Sequence, residues 1–124
     1  VTGALAVAAG GAVGALLRYG MGVVCLRLAP DSTWPLATFL VNVIGCFAIG
    51  AAAAWINRTG MMAVEWRLFL VTGMLGGFTT FSAFGMETFA FIEKGRFGLA
   101  FAYVFLSVCS GLAALAIGSR LFTR

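Results

Sequence analysis

Apolar residues fall in four long runs, about 2–26, 35–56, 64–92 and 99–122, separated by short polar stretches. About 20 apolar residues suffice for a helix to cross the hydrocarbon core, so each run predicts a membrane span. The polar stretches read as turns. Residues 27–33 contain Pro30-Asp31-Ser32, and Pro35 suits the first turn of the next helix. Residues 57–67 carry Gly60 with Arg58, Glu65 and Arg67, and residues 93–98 carry Lys94 and Arg96. The pattern predicts one all-α integral membrane domain over residues 1–124, with no internal repeat and no linker. The first run is too long for a signal peptide and has no basic segment before it.

The third run departs from the others. From Val64 to Ile92 it has about 29 residues, or ~44 Å as a straight helix, longer than a hydrocarbon core of about 30 Å. Near its centre lie Gly76-Gly77 and Thr79-Thr80. Each glycine costs a helix roughly 1 kcal/mol against alanine. Threonine is stiff at χ1, and its hydroxyl competes for backbone groups. This predicts a break over residues 76–80, near the membrane midplane. Non-helical backbone at that depth is tolerated only where protein buries it or it lines a wet cavity.

Helical spacing sorts the remaining polar and small residues onto faces. Gly10, Gly14, Arg18 and Gly22 share one face of the first span, which lets another backbone approach closely. Arg18 in an apolar span is either a structural tie or a residue near an ion path. Thr38, Asn42, Gly45 and Ile49 share a face of the second span. Asn42 there is either an interhelical hydrogen bond or a donor facing an ion. Tyr103, Ser107, Ser110, Gly111, Ala114 and Gly118 form a small and polar stripe on the fourth span.

Composition agrees with the membrane assignment. The chain is 62% hydrophobic and 10% charged, with mean hydropathy +1.07, far from the balance of a soluble domain. There is no histidine, so the commonest general base and metal ligand is absent. Cys25, Cys46 and Cys109 sit far apart in apolar runs and read as small buried hydrophobes. The net charge of +4 is not clustered, which argues against nucleic-acid binding. Four spans put Arg58, Arg67, Arg120 and Arg124 on the side of the termini, against Arg27, Lys94 and Arg96 on the other. Positive charge fixes orientation, and here it is nearly balanced. The balance predicts insertion in both orientations and pairing of opposite copies, which builds between chains what transporters build as inverted repeats.

A broken helix frees carbonyls on its first half and N–H groups on its second. The carbonyls suit a small hard cation, and the N–H groups with the positive helix end suit an anion. After the break Phe81 and Phe84 stand three apart, with Ser82 beside them. Their ring edges are electropositive. Glu87 lies seven residues past Thr80, ~10 Å along a helix, where it reads either as an acid at a water-filled mouth or as a paired interfacial acid.

Residues 76–84, Gly-Gly-Phe-Thr-Thr-Phe-Ser-Ala-Phe, resemble the GG-x-TTFSTF signature of the Fluc (CrcB) fluoride channels. Gly10-Gly11, Gly14 and Arg18-Tyr19 are similar to that family's first span, and Asn42, Gly45, Phe47 and Gly50 to its second. Lys94-Gly95-Arg96 before the fourth span is similar too. The resemblance implies an antiparallel dual-topology homodimer in the cell (inner) membrane, with two fluoride pores and passive fluoride efflux. It implies a structural Na⁺ at the dimer centre, held by the backbone carbonyls of Gly76 and Thr79. It also implies a pore wall of Phe81 and Phe84 with Asn42, Ser82, Tyr103 and Ser107, and Glu87 near a vestibule. Ser110 is a further candidate donor, standing in for the hydroxyl missing at Gly111. Ala83 departs from the signature, which has threonine at its position.

Two other readings compete. A small dual-topology multidrug exporter needs an acid in its first span, and residues 2–26 contain none. A non-transporting membrane subunit accounts for the small-residue faces and not for Gly-Gly-Phe-Thr-Thr. An enzyme is disfavoured, with no histidine, no GxSxG elbow and only Glu87 as an acid within the spans.

Overall fold

The structure is a computed structural model and describes residues 1–60 and 62–122; Arg124, counted above on the side of the termini, lies outside the described residues. It is all-helical. α1 spans Thr2–Leu28, α2 spans Leu36–Thr59, and the last helix, α5, spans Phe97–Arg120. Between α2 and α5 the third apolar run forms two pieces. α3 covers 64–78 and is composite: α-helical at Val64–Arg67, π-helical over Leu68–Leu75, and α-helical again at Gly76–Phe78. α4 spans Phe81–Glu93. The described residues contain no strand, and four segments are long and apolar enough to cross a membrane: Thr2–Leu28, Leu36–Thr59, Val64–Glu93 and Phe97–Arg120.

The helix ends follow local chemistry. Gly60 ends α2 in the left-handed region (φ 59°), and its N–H donates to the Ile56 carbonyl at 2.8 Å. Glycine takes that conformation without a Cβ penalty. α5 starts at Phe97, two residues before the apolar run begins, because the Arg96 carbonyl already accepts the Ala100 N–H at 3.0 Å.

Packing divides the helices into two intimate pairs, α1 with α3 and α2 with α5. Both seams depend on missing side chains. A Cβ on Gly10 would collide with the Phe69 carbonyl, and one on Gly14 with the Met74 carbonyl. From the other side, a Cβ on Gly73 would stand 2.8 Å from the Val7 carbonyl and one on Gly77 2.7 Å from that of Gly11. Gly50 against Leu115 and Gly118 against Phe47 repeat the device between α2 and α5. Gly22, on the same predicted face as Gly10 and Gly14, meets nothing within 4 Å. Association in lipid rests on such close van der Waals approach.

The π-helical stretch has a geometric reason in this seam. Gly10 and Gly14 are four apart, yet they face carbonyls of residues five apart, Phe69 and Met74. π-helical hydrogen bonds run i→i+5, which keeps residues five apart on one face. The wider helix therefore brings α3 into register with an ordinary α1.

Non-helical dihedrals in the third run are confined to Thr79 (φ −82°, ψ 161°) and Thr80 (φ −153°, ψ 123°). Gly76 and Gly77, grouped with them in the predicted break, are helical. Gly77 needs helical backbone to set its bare Cα against Gly11. The two β-branched threonines take the extended conformation that such residues favour.

Candidate functional site

The interruption at Thr79–Thr80 is held by polar contacts from three helices. Asn42, from the second turn of α2, grips the Thr80 peptide on both sides. Its Nδ2 donates to the Thr80 carbonyl at 3.0 Å, and its Oδ1 accepts the Thr80 N–H at 2.8 Å. Thr80 caps α4, since its Oγ1 accepts the Ala83 N–H at 3.2 Å. That contact uses the backbone of Ala83, so a threonine side chain is not needed to make it. Arg18 reaches across from α1, where its Nε donates to the Gly77 carbonyl at 3.1 Å. Of the two readings open for Arg18, the structure has the tie.

These contacts divert two helical donors. In an unbroken helix the Thr80 N–H would bond to the Gly76 carbonyl, and the Ala83 N–H to that of Thr79. Here Asn42 Oδ1 takes the first and Thr80 Oγ1 the second. The carbonyls of Gly76 and Thr79 thereby lose their helical partners. A groove of about 300 Å³ runs past this point, lined among others by Asn42, Gly45, Gly76, Thr79 and Phe81.

Beyond the interruption Phe81 points outward, 84% exposed, and Phe84 turns inward. Their ring centroids lie 5.8 Å apart. Ser82 is exposed, with its Oγ 3.4 Å from that of Thr80. Phe84 packs on Tyr103 of α5 with centroids 5.1 Å apart. Tyr103 is fully buried, at the centre of a cluster with Phe91, Ala100 and Trp34.

Glu87 is bonded on both carboxylate oxygens. Thr38 Oγ1 donates to Oε1 and Tyr103 Oη to Oε2, each at 2.6 Å. The trio links α2, α4 and α5 beside a cavity of about 180 Å³ lined by Cys25, Trp34, Thr38 and Glu87. Glu87 is thus paired, and it lines a cavity.

The stripe on α5 divides. The Tyr103 hydroxyl is engaged by Glu87. Ser107 Oγ is buried and has no hydrogen-bond partner among the described residues. Ser110 is half-buried. Gly111 is buried, and a Cβ there would stand 3.3 Å from Cys46 Sγ. Asn42, Phe81, Ser82, Gly76 and Thr79 gather at the interruption, whereas Phe84, Glu87 and Tyr103 form a second cluster linked to it through the two phenylalanine rings. Three participants carried no clear signal in the sequence: Thr38 as partner of Glu87, Trp34 edge-on to Tyr103 with centroids 5.3 Å apart, and Thr80 as a cap. Thr38 lies one turn before Asn42 on one face, the only hint of it.

Comparison with known proteins bears on the whole chain. A family model described as "CrcB-like protein, Camphor Resistance (CrcB)" matches residues 5–119. The chain is 47% identical over 128 aligned residues to the fluoride-specific ion channel FluC of Caulobacter sp. (strain K31), covering 99% of each chain. It is 48% identical over 115 residues to FluC of Caulobacter vibrioides (strain NA1000 / CB15N), covering 92% of this chain and 90% of the relative. With FluC of Methylobacillus flagellatus it shares 43% identity over 115 residues, covering 93% and 90%. Agreement that runs from the start of α1 to the end of α5, across all four membrane-length segments, means that this multi-pass membrane chain belongs to the CrcB-like family.

Proposed function

We propose that the chain is a fluoride-specific channel, giving passive fluoride efflux through two pores of an antiparallel, dual-topology homodimer. The observation that carries this reading is the double grip of Asn42 on Thr80, made beside an outward-facing Phe81 and a groove. A polar backbone segment in an apolar span needs a protein or water lining, and the groove beside it is open for one.

Fluoride holds its water tightly, so a pore must offer replacement donors without trapping the ion. Asn42 has a second Nδ2–H beyond the one given to Thr80. Ser107 brings a buried hydroxyl with no partner among the described residues, a group whose burial is costly until an acceptor arrives. Ser82 and Ser110 add hydroxyls, and the edges of Phe81 and Phe84 add weak positive potential. Neutral donors of this kind bind an anion less deeply than a ring of cations, which favours its release. Glu87 is held by two donors, and Tyr103 orients it while its ring supports Phe84. A carboxylate tied in this way repels a passing anion less than a bare one.

The Gly76 and Thr79 carbonyls fit a Na⁺ site, because both have lost their helical donors and hard cations take oxygen ligands. Bound there, Na⁺ would supply positive charge that draws the interruptions of two antiparallel protomers together.

The reading is tested by fluoride efflux from liposomes containing the purified protein, with chloride as control. Fluoride release well above empty liposomes, with chloride retained, is the expected result. Release equal to empty liposomes would overturn it.

A further inference from the structure

A cavity larger than the groove at the interruption lies elsewhere on the chain. It holds about 770 Å³ at the C-terminal ends of α2 and α5, lined by Ile49, Gly50, Ala53, Asn57, Arg58 and Ser119 among others. Ile49 also lines the groove that contains Asn42 and Phe81. The two spaces therefore adjoin along one face of α2. A third space, of about 190 Å³, shares Ile49, Ala53 and Asn57 with the large cavity and adds Arg67. Arg58 of α2 and Arg67 near the start of α3 thus line two neighbouring spaces that have Ile49, Ala53 and Asn57 in common. Arg58 donates to the Phe122 carbonyl at 3.3 Å. Neither arginine is paired with a carboxylate among the described residues, and both are exposed.

We propose that Arg58 and Arg67 form a cationic mouth that gathers small inorganic anions and feeds them along α2, past Ile49, toward Asn42 and Phe81. This rests on the channel reading above and extends it to a part of the path outside the interruption. An unpaired cation beside a low-dielectric wall raises the local anion concentration, and clefts of one sign raise on-rates by about 10–10³-fold. The walls inward of the arginines are Ile49, Gly50, Ala53 and Leu115, which hold no water firmly. The Asn57 carboxamide and the Ser119 hydroxyl provide polar groups at the threshold. The division of labour is physical: full charges stand outside, where salt and water moderate them, and neutral donors stand inside, where a full charge would trap the ion.

The test compares wild type, Arg58→Gln/Arg67→Gln and Arg58→Lys/Arg67→Lys in fluoride efflux from liposomes of neutral phospholipid. Two ionic strengths are used, about 0.01 M and about 1 M, where the Debye length is roughly 30 Å and 3 Å. At low salt the glutamine variant is expected to conduct at least about threefold more slowly than wild type, with the lysine variant close to wild type. At high salt the three should converge. The lysine variant separates charge from the Arg58–Phe122 contact, which lysine does not reproduce in the same geometry. Equal flux from the glutamine variant and wild type at low salt would overturn the proposal, as would a deficit that persists at high salt. If instead both arginines matter only when anionic lipid is added, the groove belongs to a phospholipid and the proposal fails. Absence of wild-type flux would overturn the channel reading itself, an outcome distinct from all of these.

Discussion

Along the α1–α3 seam the tightest approaches set backbone against a glycine, and the contacts are van der Waals ones apart from the Arg18 tie at its end. At the interruption that follows, the Thr79 methyl still packs on Gly45, but hydrogen bonds hold the backbone, and their participants are an amide, a hydroxyl and peptide groups. Gly76 and Gly77 stand on the border between the two. A Cβ on Gly77 would come within 2.7 Å of the Gly11 carbonyl, whereas one on Gly76 would meet nothing nearer than 3.8 Å. Adjacent, identical residues thus have different duties: one makes room for a helix, and the other lends a carbonyl beside an open groove. The seam supplies rigidity with no chemistry of its own. The interruption supplies chemistry that needs the seam to hold its backbone in place.

The largest effect should come from breaking the seam. Gly14→Val would drive a branched side chain into the Met74 carbonyl, a backbone atom that cannot swing aside. Overpacking commonly costs about 1–3 kcal/mol, and a backbone collision belongs at or above the top of that range. The expected outcome is loss of the folded species in size-exclusion chromatography from detergent. Gly76→Ala should leave that profile unchanged, because its Cβ has room and its dihedrals are helical. If both variants fold equally well, the distinction between seam and interruption is wrong.

Next in size is Asn42→Ala, which removes both bonds to Thr80. At about 0.5–1.5 kcal/mol each, their loss should destabilise the protein by roughly 1–3 kcal/mol. Fluoride flux should fall at least about tenfold, since the Thr80 peptide loses its anchor and the pore a donor. Thermal unfolding in detergent and liposome efflux check the two parts separately. Full flux from this variant would show that Asn42 is structural only.

How far these roles were legible in the sequence depends on the range of the interaction. The four spans and the extended threonines follow from local composition, because apolar length and β-branching act within a few residues. The split between Gly76 and Gly77 does not, since it is decided by Gly11 on another helix. Asn42 announced itself as a buried amide, but both ends of it meet Thr80, 38 residues away. The π-helical stretch at Leu68–Leu75 has no local signature at all; it answers a register with α1. Glu87 was legible as an acid in an apolar span, and its partners Thr38 and Tyr103 were not.

The two phenylalanines divide the comparison more finely. Phe81 is largely exposed in the single chain, so Phe81→Ile should change stability by no more than about 0.5 kcal/mol. Phe84 packs on Tyr103, and Phe84→Ile should cost about 1 kcal/mol or more, with the lost aromatic pair alone worth ~0.5–1.5 kcal/mol. Flux should fall severalfold in both if the ring edges guide fluoride. Unchanged flux with the Phe84→Ile stability loss would make the rings packing elements only.

The smallest effect on flux is expected at Glu87→Gln, which tests whether the second cluster belongs with the seam or with the pore. Glutamine keeps an oxygen acceptor for one hydroxyl and turns the other position into a donor. Tyr103 and Thr38 hydroxyls both rotate and can accept as well as donate, so the trio survives with one bond reversed. Stability should drop by no more than about 2 kcal/mol, since both bonds to a carboxylate become bonds to a neutral amide. Flux should stay within about twofold of wild type, because a fixed negative charge already held by two donors does little for or against a passing anion. Complete loss of flux would mean that the carboxylate itself takes part in conduction. In that case the polar region of the molecule extends through α4 to Tyr103, and the boundary drawn at the interruption would have to move with it.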